Sequence, residues 1–512
     1  ADNCQTCGNI NPESIFKILE EKRVNKKGEF VNFRKVSPDE WHVNYKKKIE
    51  EDIDDSEPKK QIPEIKFKRP NEFKQFLIFS ERNFLSKFSN KQYVLLAFLI
   101  TPILALVLAL LSKNASTDFD RYVFYGNENI AAYLFMGVIV ALFVGLIISA
   151  EDIYRDRKIL KREAFLKLNK ISYLKSKLIF LFGLSAIQAL LFVAIGNWIL
   201  GVRSMLFDFW LILFSTFSFA NVVGLLISSL FNSIVVIYIL VPLFIVPQIL
   251  LSGTTVQYDK LNKAVVHDKY VPVVGDLTAS RWAYEALVVS QFKNNKFQKK
   301  YYEYDKKDSY ARFNVLFLIP ELKELKDNLY SGLRHENLSE YQNDFVLLKK
   351  ELKKLSYFNP FHKLKSLDFE QLTREDVSAV ENYLNTLNAR FIEDINQNSY
   401  KKDSVTHALI DEFGSIDKYN EFKHKHANKS ISELVLNRQT FKPLIIKNNS
   451  IIRKIEPIYH VPDSKIGRAH FYASQKRIGH TLINTVAFNV INLWLITTIF
   501  CIFLIILFYR KF

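Results

Sequence analysis

The residues with the most capacity for chemistry lie in one short basic stretch: Asp156-Arg157-Lys158-Ile159-Leu160-Lys161-Arg162-Glu163-Ala164-Phe165. Asp156, Arg157, Arg162 and Glu163 put both signs of charge on one short element. Such an element can hold salt bridges to another domain while Ile159, Leu160 and Phe165 pack on a rigid partner. The plainer alternative is a basic membrane anchor with no partner. This is recognition chemistry, and catalysis has no comparable signature. The sequence contains no G-x-x-x-x-G-K-[ST] phosphate loop, no G-x-S-x-G elbow and no H-E-x-x-H helix. Cys4 and Cys7 form a single C-x-x-C, which offers two of the four ligands a structural zinc needs. Two copies meeting across a homodimer, or a second pair upstream, would complete such a site; otherwise they are inert thiols. The nine histidines of residues 254–485 lack metal-site spacing, so no metal is expected in this chain.

The elements that position the basic stretch are apolar. The 512 residues average to a mean hydropathy of −0.00, but this mean mixes charge-free runs with densely charged ones. An aromatic content of 14% excludes wholesale disorder, and 3 Cys exclude a disulfide-stapled scaffold. Crossing ~30 Å of hydrocarbon takes ~20 apolar residues. Six runs qualify: 93–111, 130–150, 178–202, 209–231, 234–253 and 490–509. The fifth holds Pro242 and Pro247 and is expected to bend or break near its far end. The fold class expected is therefore a membrane all-α protein with six transmembrane helices. No ionisable residue sits at the centre of a run, which disfavours a proton relay or an ion-coupled carrier.

Nine Lys/Arg between residues 151 and 177 mark this connector as cytoplasmic, and an even span count then puts both termini inside. The expected organisation is a cytoplasmic linker or small subdomain over 1–70, an amphipathic connecting helix over 71–90 and five spans over 91–253. A large, mostly helical outer domain follows over 254–485, and the sixth span and cytoplasmic C-terminus over 486–512. In the connecting helix, Phe73, Phe76, Leu77, Phe84 and Phe88 alternate with charges, as in a helix lying on a membrane surface. Within the outer segment, 320–355, 372–395 and 403–427 read as helical and 441–459 as strand-like. The net charge of +17 is explained by anchoring and a mildly basic soluble part, so no nucleic-acid partner is implied.

Gly137, Ala141, Gly145 and Ser149, each four apart in the second run, form a small-residue stripe suited to close helix packing, within one chain or across a dimer. Gln188, Asn197, Asn221 and Gln248 are polar groups at membrane depth. They suit a translocation path or interhelical hydrogen bonding. Tyr133, Phe135 and Met136 are the candidates for contact with an apolar or amphipathic cargo.

The 156–163 stretch resembles the E-R-x-x-x-x-R-E signature of G-subfamily ABC transporters, the white and pleiotropic-drug-resistance type, with Asp156 in place of Glu. Tyr173 and Lys177 follow where that family often has a Tyr and a Lys. Arg281-Trp282-Ala283-Tyr284-Glu285-Ala286-Leu287 is similar to the family's R-Y-x-x-E-A-L, with Trp282 in place of Tyr. The resemblance covers residues 71–295 and the last run. It implies a six-span permease that pairs into a dimer and meets an ATP-binding cassette domain through a coupling helix holding Asp156, Arg157, Arg162 and Glu163. Arg281, Trp282 and Glu285 would belong to an outer re-entrant segment. ATP and Mg would reside on the partner ATPase, fused upstream of Ala1 or separately encoded. The expected setting is a bacterial inner membrane, with its lipids and a periplasmic protein as further partners. The alternative reading is a membrane-anchored assembly protein whose outer domain binds a partner.

Overall fold

The computed structural model of the chain describes residues 12–50, 70–114, 122–163, 168–262 and 264–511. Cys4, Cys7, Ala164 and Phe165 lie outside the described residues. The chain divides into two units, residues 1–69 and 70–512.

The first unit is more than a linker. It holds α1 (Pro12–Leu19), a hairpin of β1 (Lys22–Val24) and β2 (Phe30–Arg34), and α2 (Pro38–Tyr45). Gly28 sits at φ 81° in the hairpin turn, where Asn25 Oδ1 accepts from the Lys27 and Glu29 amides. Ser37 and Glu40 cap α2 reciprocally: the Ser37 hydroxyl accepts from the Glu40 amide, and the Glu40 carboxylate accepts from the Ser37 amide.

The second unit opens with α3 (Glu72–Ser89) and α4 (Lys91–Ser112), followed by α5 (Ile130–Ser149), α6 (Asp152–Glu163), α7 (Lys170–Leu200), α8 (Leu206–Leu230) and α9 (Ile234–Leu250). Long uninterrupted apolar runs form these helices because a helix satisfies its backbone groups internally. Among the described residues, five helical stretches are long and apolar enough to cross a membrane: 91–112, 130–163, 170–200, 206–230 and the final α18 (Thr485–Lys511). The sixth apolar helix, α9, has 17 residues and spans only about 25 Å at ~1.5 Å per residue. It runs through Pro242 and Pro247 and ends where the Ser252 hydroxyl bonds to the Ile249 carbonyl (2.8 Å) and the Tyr258 hydroxyl to that of Leu251 (3.0 Å).

Residues 151–163 and 168–177, part of the stretch read as a connecting loop, are largely helical. They comprise α6 and the first two turns of α7, which begins at Lys170 because the Asn169 side chain caps the Ile171 and Ser172 amides. α8 is the central span, buried along nearly its whole length against α5, α7 and α18.

The insert between α9 and α18 contains α10 (Val273–Asp276), α11 (Ala279–Lys293), α12 (Gln298–Phe313), α13 (Ile319–Arg334), α14 (Gln342–Leu355), α15 (Arg374–Phe413), α16 (Ile416–His426) and α17 (Lys429–Leu436). Two antiparallel hairpins follow, β3 (Leu444–Ile446) with β4 (Ile451–Arg453) and β5 (Gln475–Ile478) with β6 (Thr481–Asn484). The sequence reading left a gap at 396–402, but α15 continues through it for 40 residues and stops at Gly414, at φ 78°. Nothing in the gap breaks a helix, whereas Gly414 provides the left-handed C-cap.

The insert is not a body apart. α11 lies in one core with α5 and α8, joined by Ile431, Val435, Ile458 and Tyr472. A second core, built from α13, α14 and the N-terminal half of α15, forms a separate lobe. Asn428 Nδ2 donates to the Phe124 and Asn127 carbonyls (2.8 Å each) at the start of α5, while α6 follows its other end. The connector and the insert therefore sit at opposite ends of the bundle.

Candidate coupling site

α6 follows α5 and packs against the end of α8, and half of its charges point into the protein. The Asp156 carboxylate pairs with Lys177 (2.8 Å) and accepts from the Tyr173 hydroxyl (2.8 Å). Arg157 donates to the carbonyls of Ser228 (2.8 Å) and Ser229 (3.0 Å), and also to Asn232. It thus caps the C-terminus of α8, where orphan carbonyls and the helix dipole favour a cation. Lys511 donates to Ser229 and Leu230 at the same helix end (2.8 Å each). Glu163 pairs with Arg82 of α3 (2.7 Å), and the buried Asp152 pairs with Lys87 of α3. Burial lowers the Lys87 pKa, opposed by the Asp152 charge.

Tyr173 is the hub. Its ring meets Phe79 of α3 edge-on (centroids 5.8 Å apart) and stacks on Phe508 of α18 (5.5 Å). α3 is tied down further by Gln75, whose Oε1 accepts from the Asn169 amide (2.8 Å), and by Ser172, whose hydroxyl donates to the Glu72 carbonyl (3.0 Å). The connecting helix turns Gln75, Phe79 and Asn83 inward and leaves Phe73, Leu77, Phe84 and Phe88 exposed. Its bulky apolar side chains thus face whatever surrounds the protein, as a helix at a membrane surface would.

The outward face of α6 is wholly basic. Arg155, Lys158, Lys161 and Arg162 are exposed, and only Arg155 is paired among the described residues, with Glu151. Of the four candidate residues, three are used to brace the connector from within, and Arg162 alone is presented outward.

The stripe residues pack inside this chain. A Cβ on Gly145 would lie 2.7 Å from the Ala220 Cβ and 3.0 Å from the Phe217 carbonyl oxygen of α8, and Ser149 sits against Gly224 of the same helix. Gly137 faces Phe192 of α7, and Ala141 is fully buried. The polar groups at depth join helices. Gln188 donates to the Ala97 carbonyl (2.7 Å), Asn221 to the Ser185 hydroxyl (2.6 Å), and Gln248 accepts from the Ser280 amide (3.1 Å). Asn197 is buried near the end of α7. Tyr133 is buried and stacks on Phe192 (6.0 Å), Phe135 meets Tyr284 edge-on (5.5 Å), and Met136 is exposed. The seven path candidates do not converge on one space.

At the opposite end, the sequence reading missed a residue. Lys476 of β5 and Glu285 of α11 are both 0% exposed, and the Lys476 ammonium donates to both carboxylate oxygens (3.0 and 2.8 Å). Asn489 in the first turns of α18 donates to the same carboxylate (2.8 Å) and to the Trp282 carbonyl (2.9 Å). Arg281 lies 3.5 Å from Glu285 and 3.6 Å from Asp276, with its guanidinium 3.7 Å over the Trp282 ring. This cluster fastens the last hairpin and the start of α18 to α11. The signal that points to the hairpin is a pair of short runs flanking Gly479-His480. Among the described residues, no three His, Cys, Asp or Glu converge as a metal site.

Residues 74–292 match the family described as ABC-2 type transporter. The matched stretch runs from α3 to the end of α11, taking in both the connector and the Arg281–Glu285 turn, and stops before the second lobe. This part of the chain is an ABC-2 type membrane domain. It is similar to the G family: the ABC transporter G family member STR of Medicago truncatula is 27% identical over 199 residues. That alignment covers 39% of this chain and 23% of the relative, so it spans about a quarter of the relative's length.

Proposed function

We propose that this chain is the permease part of an ATP-driven exporter of amphipathic or hydrophobic molecules, coupled through α6 to an ATP-binding domain. That domain, fused upstream or encoded separately, would bind ATP and Mg. The supporting observation is the division of α6 into two faces. Asp152, Asp156, Arg157 and Glu163 lock it to α3, α7 and α8, and the Tyr173 ring passes the contact on to α18, so that a push on α6 reaches all four helices. Lys158, Lys161 and Arg162 are left to meet an acidic partner surface. A second copy of the chain would complete the cavity, with alternating access as the mechanism. The insert would face the outer side of a bacterial inner membrane, with both termini inside.

The test is the ATPase activity of the chain assembled with its ATP-binding domain in vesicles. Arg162→Glu combined with Lys158→Glu should abolish stimulation of hydrolysis by the permease while insertion and folding persist. Unchanged stimulation would remove α6 from the coupling. A second reading, a membrane-anchored assembly protein, draws support from the separate core of the α13–α15 lobe. It predicts that no ATPase co-purifies with the chain.

A further inference from the structure

Where the insert folds back over the first turn of α5, it lines a half-open cavity of about 480 Å³. This lies within the range of ~300–1,000 Å³ typical of small-molecule sites. Its wall is aromatic and held in place by its own contacts. Phe135 meets Tyr284 edge-on at 5.5 Å, Tyr284 meets Tyr472 at 6.3 Å, and Tyr258 meets Phe471 at 5.1 Å. Ala131 and Ala132 add small side chains to the lining. Phe471, Tyr472, His470 and Asn437 all come from beyond residue 292, so the site needs the insert as well as the 74–292 domain.

The charges at the mouth are already matched. Lys454 pairs with Asp259 (3.0 Å), Asp268 with Lys447, and Lys269 with Asp463. Neutral groups share the same lining: the hydroxyls of Thr254 and Thr255, the Asn437 amide and the His470 imidazole. Burial, with Lys454 and Lys269 nearby, pushes the His470 pKa down to about 3, so the ring is uncharged at neutral pH. A ligand with a net charge would have to break one of these pairs or remain unpaired and partly desolvated, which is costly. An apolar ring body, in contrast, can lie against the aromatic wall with no such penalty.

We propose that this cavity binds a neutral amphipathic small molecule, with its apolar rings against Phe135, Tyr284 and Tyr472 and its hydroxyl or amide end toward Thr255 and Asn437. The transport reading is needed only to call that molecule cargo; binding itself does not depend on it. The experiment uses the full chain in lipid nanodiscs, titrated with Nile red, a neutral planar amphiphile, against empty discs. The anionic 8-anilinonaphthalene-1-sulfonate serves as the charged comparison. Ala132→Trp and Thr255→Trp each place an indole in the cavity from an exposed position, and Leu495→Trp adds one on an exposed face of α18. Saturable Nile red binding should weaken at least tenfold in both cavity variants and change less than twofold in Leu495→Trp. The sulfonate should bind at least tenfold more weakly than Nile red. Absence of saturable binding, or binding indifferent to both fillings, would overturn the site. A sulfonate bound as tightly and displaced by the same fillings would overturn the neutral class. Arg162→Glu should leave Nile red binding unchanged, so failure of the coupling reading and failure of this one are read separately.

Discussion

The Tyr173 hydroxyl donates to the Asp156 carboxylate at 2.8 Å, and with the Lys177–Asp156 pair that bond joins the connector helix α6 to the base of α7. The ring that carries the hydroxyl is clamped between Phe79 and Phe508, so α3, α6, α7 and α18 converge on one side chain. A hydrogen bond to a charged group contributes about 1.5–3 kcal/mol, and truncating a buried aromatic costs about 3–5 kcal/mol. Tyr173→Phe should therefore lower the melting temperature modestly, since Lys177 still pairs Asp156. Tyr173→Ala should lower it far more. Thermal unfolding of the purified chain in detergent measures both, and equal shifts would show that the hydroxyl bond, not the ring contacts, carries the junction.

Arg162 and Glu163 are neighbours in sequence with different partners. Glu163 pairs with Arg82 inside the chain, whereas Arg162 is exposed. Glu163→Arg should loosen α3 from α6 through like-charge repulsion, and the exchange Glu163→Arg with Arg82→Glu should restore it. Both side chains are partly exposed, so the coupling should be about 0.2–1 kcal/mol. Arg162→Glu should leave α3 untouched. Protease sensitivity at the α3–α4 junction gives the readout, and failure of the charge exchange to rescue would mean the pair does not hold α3.

The spans and the connector were legible because continuous apolar runs and a dense basic patch are local signals. The direction in which side chains face was not. Phe73, Leu77, Phe84 and Phe88 suggested a face lying on a membrane surface, and they are exposed, but nothing in the sequence marked Gln75, Phe79 and Asn83 as the face that turns inward. A bilayer accepts apolar side chains on the outside, so amphipathicity alone does not say which face meets protein. Asp156, Arg157 and Glu163 were found as a group, yet their partners Lys177, Ser228 and Arg82 are fixed only by the tertiary fold. Lys476 lies 191 residues from Glu285 within a polar stretch, where nothing local distinguishes it from a solvated lysine.

The small-residue stripe brings α5 and α8 together within one chain. At Gly145 an added Cβ meets the Ala220 Cβ at 2.7 Å and backbone at 3.0 Å, neither of which can rotate away. Gly145→Val should therefore force the two helices apart and cost about 1–3 kcal/mol by overpacking. Gly137→Ala meets only the rim of the Phe192 ring at 3.0 Å, a side chain that can shift, and should cost less. Relative melting temperatures in one detergent decide this, and the reverse order would place the tight contact elsewhere.

The Glu285–Lys476 pair should respond unequally to loss of its two members. Glu285 serves Lys476 at 2.8 Å, Arg281 at 3.5 Å and Asn489 at 2.8 Å, and among the described residues its carboxylate alone is hydrogen-bonded to the buried ammonium. Glu285→Gln leaves Lys476 and Arg281 as neighbouring buried cations, and breaking such a pair costs about 3–5 kcal/mol. Lys476→Met leaves the carboxylate with Arg281 and Asn489 and fills the space with an unbranched side chain of similar length, so it should cost clearly less. Because the hairpin carrying Lys476 runs directly into α18, the Glu285→Gln defect should appear first as faster hydrogen exchange in β5, β6 and the first turns of α18. Equal loss in the two variants, or exchange that rises evenly over the chain, would show that the cluster does not anchor α18 locally.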